Sequence, residues 1–108
     1  MKRRTVTKNP RAEADLLEQY VFIGDDNLDA AERFLAAAEE AFTRLGEMPR
    51  LGRRWRSDDT RLEDIRVWPI PGWNYLVFYR QVETAIEVVR ILHGAQDVTA
   101  IIVGEEEK

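Results

Sequence analysis

The run Trp73-Asn74-Tyr75-Leu76-Val77-Phe78-Tyr79 decides the fold of this 108-residue chain. It is almost continuously apolar and rich in aromatic side chains, which suit a pleated surface better than a helix. Pro69-Ile70-Pro71-Gly72 breaks the chain before it, and the polar stretch from Gln81 to Thr84 breaks it after. A strand of this kind belongs in the middle of a sheet with helices covering one face. Its neighbours, Leu62 to Trp68 and Ala85 to Leu92, are again short and rich in Val, Ile and aromatics. With Trp73 to Arg80 between them they read as three strands of an antiparallel meander.

Upstream the period changes. Thr5 to Lys8 is a short, largely β-branched run and reads as a first strand. Asn9-Pro10 reads as a helix start, because Asn9 accepts from free N–H groups and Pro10 suits the first helical position. Leu16, Leu17, Tyr20, Val21 and Ile23 follow at helical spacing and predict a core-facing stripe. Gly24 is expected just past the end of this helix, with Asp25-Asp26-Asn27 as turn and cap of the next. A second helix is predicted from Leu28 to Leu45, ended by Gly46 and Pro49, with Ala31, Phe34, Ala38 and Phe42 on one side. Its alanines let the first helix approach closely, as in an antiparallel αα-hairpin.

The order β-α-α-β-β-β implies an α+β fold, with the αα-hairpin packed on one face of a small, mainly antiparallel β-sheet. The other sheet face is then partly open and a candidate binding surface. Asp97 to Val103 reads as either a short closing helix or a strand. Residues 1–104 make one domain in this reading, and Glu105 to Lys108 a solvated acidic tail.

With no cysteine and a single histidine, the chain has no disulfide framework, thiolate zinc site or multi-histidine metal site. No phosphate-cradling glycine loop or Gly-x-Ser-x-Gly elbow is present, so no metal or other cofactor is expected. No apolar stretch approaches a membrane span, and no apolar region follows the basic start to make a secretory signal. A soluble, cytoplasmic protein is the expectation, with no membrane partner.

The formal charge is −4, from 16 bases and 20 acids. Domains that grip nucleic acid usually carry a basic excess, so this balance argues against sequence-specific nucleic-acid binding. The charge is uneven. Residues 1–11 carry +5, residues 12–47 carry −8, and residues 48–108 carry −1.

Two clusters bear on chemistry. Arg50, Arg53, Arg54 and Arg56, followed by Arg61 and Arg66, surround Trp55. Such a set suits an anion or RNA grip with Trp55 stacking on a base. It equally suits a solvated loop balanced by Asp58, Asp59, Glu63 and Asp64, or a contact with an acidic protein, since six bases face four acids over residues 50–66. The second cluster is Arg90-Ile91-Leu92-His93-Gly94-Ala95-Gln96-Asp97. There His93 is either a general acid or base beside Asp97 or an arginine, or a structural residue ending its strand. Trp68 and Trp73 flank the Pro-Ile-Pro-Gly turn and are expected to pin it to the domain.

The strings Ile65-Arg66-Val67-Trp68-Pro69-Ile70-Pro71-Gly72, Tyr75-Leu76-Val77-Phe78-Tyr79-Arg80 and Arg90 to Asp97 resemble toxins of the RelE/ParE superfamily, and more closely its ParE branch. The likeness extends to Asn9-Pro10, Ala30-Ala31-Glu32-Arg33-Phe34 and Leu45 to Gly52, and covers all but the acidic tail. Gln96 departs from it, standing where the family usually has Arg. The resemblance implies a small toxin silenced by a cognate antitoxin. In the ParE branch the toxin binds and poisons DNA gyrase. In the RelE branch it is an endoribonuclease that cuts messenger RNA on the ribosome.

Net −4 opposes approach to the phosphate-dense ribosome. The chain also lacks any tyrosine after Tyr79, and a nuclease reading leaves only His93, Arg66, Arg53 and Arg54. A non-enzymatic gyrase inhibitor is therefore the leading expectation, with the endoribonuclease as the alternative. The expected exposed partner-binding set is Arg53, Arg54, Trp55, Arg66, Arg80 and Arg90. Arg66, with Arg80 or Arg90, is expected on the sheet face away from the helices.

Overall fold

The computed structural model describes residues 3–55, 64–94 and 101–102. Its elements in chain order are β1 (Val6–Lys8), α1 (Pro10–Asp26), α2 (Leu28–Glu47), β2 (Arg53–Arg54), β3 (Arg66–Pro69), β4 (Tyr75–Val82) and β5 (Ala85–His93). The strands form one sheet in the order β1-β5-β4-β3-β2. Among the described residues only β1 with β5 is parallel; the other pairs are antiparallel. The fold is the expected α+β hairpin-on-sheet, with β4 central. The two-residue strand β2 was not foreseen. The expected acidic tail, Gln96 and most of the Asp97–Val103 element lie outside the described residues; Ile101 and Ile102 are helical.

Local chemistry explains the hairpin. Asn9 caps α1, its side chain accepting from Ala12 N–H at 2.8 Å, and Pro10 follows at the first helical position. Asn27 alone joins the helices. Its N–H donates to Ile23 O at 3.0 Å, and its side chain accepts from Ala30 N–H at 3.0 Å. The expected three-residue turn thus contracts to one residue, and Gly24 lies inside α1 rather than beyond its end.

Helix α1 also departs from expectation in its exposed side. Its buried residues are Ala12 and Leu16, while Leu17 and Val21 are exposed. Helix α2 buries Ala31, Phe34, Ala38, Ala41, Phe42 and Leu45, as its spacing implies.

The sheet has a core on each face. Under the helices, Phe34, Leu45, Ile70, Val77, Tyr79 and Ile86 are buried together, with Trp68 and Trp73 packed against them. On the far face, expected to be partly open, Ile65, Val67, Phe78, Val89, Leu92 and Ile102 form a second buried cluster, with Trp55 and Ile101 packed on it. Ile101 and Ile102 thus cover part of this face.

A bulge links the two cores. Phe78 pairs with Arg90 and Tyr79 with Val88, so Val89 is an extra residue on β5. Val89 joins the far core, while Val88 and Ile91 both belong to the helix-side core. Among the described residues no helix is long and apolar enough to cross a membrane.

Candidate interaction site

The loop between α2 and β2 is fixed from inside by one tyrosine. Tyr79, buried on β4, donates its hydroxyl to Pro49 O at 2.7 Å and accepts Gly52 N–H at 2.9 Å. Arg66 donates from Nη1 to Gly52 O at 2.8 Å. Burial pushes the Tyr79 phenol above the ordinary tyrosine range, with the Gly52 N–H and the Arg66 charge opposing that rise. Glycine is required at position 52, because a Cβ there would stand 2.6 Å from Tyr79 Oη and 2.7 Å from Val67 O.

This anchored loop delivers Arg53 and Arg54, both exposed, to the outer strand β2. Arg54 pairs with Arg66 and Arg53 with Val67, so the two arginines face opposite sides of the sheet edge. Trp55 follows on the far face. Its ring meets Phe78 edge-on at 5.4 Å, and its backbone N–H donates to Ile65 O at 2.9 Å. It is half-buried and packs on the far-face core.

The remaining expected cations are placed differently. Arg66 is in register with Tyr79 and lies on the helix side, because its neighbour Val67 fills the far core. The expectation that it points away from the helices is corrected by this alternation. Arg80 does lie on the far face, opposite Glu87, with Nε 3.7 Å from Oε1. Arg90 is not an exposed partner residue: it is 6% exposed and ion-paired with Asp15 of α1. Arg90 is in register with Phe78, and Asp15 of α1 holds its guanidinium.

His93 ends β5 against Tyr75, edge-on at 5.3 Å, with Nε2 3.3 Å from Asn74 Nδ2. Tyr75 in turn donates to Gln19 Oε1 at 2.5 Å, and burial raises its pKa. His93 is in register with Tyr75 and Arg66 with Tyr79. Four strand residues separate these levels, about 13 Å along the sheet, and β4 lies between the two strands. The expected nuclease residues are therefore not one cluster: Arg66 and Arg54 share a face at the β2 edge, and His93 stands at the other end.

Sequence reasoning missed two features. Tyr79 was read only as an apolar strand residue, although a buried tyrosine hydroxyl needs partners. The exposed Leu17, Val21, Phe22 and Leu28 were missed because α1 was treated as having one apolar side. A helical wheel separates Val21 from Leu16 by about 140° and shows the second side.

A two-helix hairpin on a five-stranded sheet, edged by an arginine-bearing strand, is the fold of the RelE/ParE superfamily of small toxins. It is similar to a chain of the chromosomal ParDE toxin–antitoxin system from P. aeruginosa, with a TM-score of 0.68 and 18% identity over 83% of this chain and 95% of that one. It is also similar to a chain of the RelBE2 toxin–antitoxin complex from Mycobacterium tuberculosis, with a TM-score of 0.60 and 23% identity over 89% and 97%. The chain belongs to the family of ParE toxins of type II toxin–antitoxin systems, parDE, whose model matches residues 6–98. No curated protein sequence matches it.

Proposed function

We propose that this chain is a toxin that acts by binding a protein, that DNA gyrase is its target, and that a cognate antitoxin silences it in the cytoplasm. The separation of Arg66 from His93 carries the choice of binding over RNA cleavage. A single scissile phosphate cannot be contacted by both, and the cations near Arg66 have no general acid or base beside them from the expected set. The formal charge of −4 supports the same choice, because it opposes approach to ribosomal RNA. The resemblance to the ParE branch, together with family membership, supports gyrase as the target.

Arg53 and Arg54 are the residues offered to the target, with Arg66 and Tyr79 positioning the strand that bears them. The test is a supercoiling assay with purified gyrase and purified protein. Inhibition without transcript cleavage is the expected result. Unaffected supercoiling together with transcript cleavage in induced cells supports the endoribonuclease instead.

A further inference from the structure

A cleft of about 550 Å³ opens where the C-terminal end of α2 meets the segment before β1 and the end of β4. Met48, Pro49 and Leu51 give it aliphatic walls, and Arg4 and Arg50 line it with them. Both sides are held by ties made elsewhere. Arg4 N–H donates to Gly46 O at 2.9 Å, and a Cβ on Gly46 would stand 2.8 Å from Arg4 O, so this segment lies directly on the end of α2. Opposite it, Leu51 N–H donates to Met48 O at 3.0 Å, and the Tyr79 hydroxyl holds Pro49 O and Gly52 N–H. A cleft braced in this way loses little conformational freedom when it is filled.

Charge selects the occupant. Besides the two arginines the lining holds one acid, Glu47, and Arg3 Nη2 already stands 3.8 Å from its carboxylate. The cleft is therefore cationic, and the loop that forms it leads straight into Arg53 and Arg54 on β2. None of the lining side chains is aromatic, so the cleft lacks the ring platform on which an unpaired base stacks. Aliphatic walls flanked by guanidinium groups suit an apolar side chain carried between carboxylates. That is a feature of a protein surface, not of a nucleic acid.

We infer that this cleft is the anchor pocket for the toxin's protein target, and that it takes one large apolar side chain flanked by Asp or Glu, with Arg4 and Arg50 meeting the carboxylates. The inference rests on the proposed function for the existence of a protein target. It adds to the cations of β2 a place where the target is gripped by burial. Protein interfaces draw most of their affinity from such central anchors, while charges at the rim mainly set encounter rate and register. Met48, 50% exposed, is the wall residue whose remaining surface the anchor would cover.

The test is titration of purified gyrase with the purified full chain, at low and high ionic strength. Met48→Ser is expected to bind about tenfold more weakly at both, from the loss of an apolar wall. Met48→Leu, which keeps that wall, is expected to bind as the wild type does. Arg50→Glu is expected to bind at least tenfold more weakly at low ionic strength and to lose less at high. Thermal midpoints are expected to match the wild type, since Met48 and Arg50 are exposed and belong to neither core. Wild-type binding that either Met48→Ser or Arg50→Glu leaves unchanged, or that Met48→Leu weakens as much as Met48→Ser, overturns the anchor pocket and leaves the proposed function standing. No binding of gyrase by the wild type overturns both.

Discussion

Asp15 and Arg90 join α1 to β5 through a two-pronged ion pair: Nε to Oδ2 at 2.8 Å and Nη2 to Oδ1 at 2.9 Å. The same Oδ2 accepts Ile91 N–H at 2.9 Å, so one carboxylate binds both the bulged strand's backbone and its buried cation. Both side chains are largely shielded, 12% and 8% exposed. Removing one partner of such a pair strands a charge in a poorly solvated place. Asp15→Ala is expected to cost about 3–5 kcal/mol in urea unfolding. The double change Asp15→Leu, Arg90→Met is expected to cost clearly less than that, because no buried charge is left behind. A loss below about 1 kcal/mol for the single change contradicts this account.

The Tyr79 hydroxyl is the second internal tie. Tyr79→Phe leaves the Pro49 carbonyl and the Gly52 N–H without their partner, and is expected to cost about 1–3 kcal/mol. Gly52→Ala is expected to cost at least as much, since Val67 O is backbone and cannot rotate aside from the new methyl. Thermal unfolding checks both, with a fall in midpoint of roughly 10 °C for a loss near 2 kcal/mol.

Alkaline pH gives an independent reading of the same tie. Burial raises the pKa of Tyr79 and Tyr75 in the folded chain, whereas the unfolded chain ionises tyrosine near its ordinary value of about 10. The folded state therefore holds more protons in the window above pH 10. Its stability is complete below that value and falls as pH rises through the raised folded pKa. Denaturant unfolding at about pH 9 and about pH 11 is expected to show this loss, and to show less of it in Tyr79→Phe.

Much of this was legible in sequence. The apolar run around Val77, the Asn9-Pro10 start and the alanine-rich face of α2 each agree with one element and one packing direction, so hairpin and sheet could be read directly. The site was less legible because strand phase governs it. Arg66 and Arg90 both lie in strands: Val67 filling the far core sets the direction of the first, and the ion pair with Asp15 holds the second. A bulge leaves no trace in the period-2 pattern strong enough to be separated from a simple slip. The far core escaped for another reason: Trp55 and Ile102, which join it, lie far in sequence from Phe78 on the central strand.

Gly24 shows a misread signal of a different kind. A glycine after an apolar helical stretch ordinarily marks a helix end, but Asn27 performs that role here for both helices. Gly24 sits inside α1, and a Cβ there would meet Ala31 Cβ at 3.5 Å and Leu28 Cδ1 at 3.9 Å, ordinary contacts. Gly24→Ala is therefore expected to stabilise the chain by about 0.5–1 kcal/mol, through lower unfolded-state entropy and better helix propensity. Asn27→Ala is expected to cost about 1 kcal/mol, with denaturant unfolding as the measurement for both.

The arginine edge carries the functional prediction. Arg53 and Arg54 are exposed on a two-residue outer strand and belong to neither core, so reversing their charge removes no core side chain. If they are the cations offered to an acidic target surface, Arg53→Glu with Arg54→Glu replaces attraction by repulsion at two neighbouring positions. Toxicity on induction is expected to fall at least tenfold, an effect of about 1.4 kcal/mol on target binding, while the thermal midpoint is retained. His93→Ala is the complementary control. His93 stands at the far end of the sheet and packs on Tyr75, so its loss is expected to leave toxicity intact. Loss of toxicity in a folded His93→Ala chain, with Arg53→Glu, Arg54→Glu still toxic, reverses the assignment and places the activity at the His93 end.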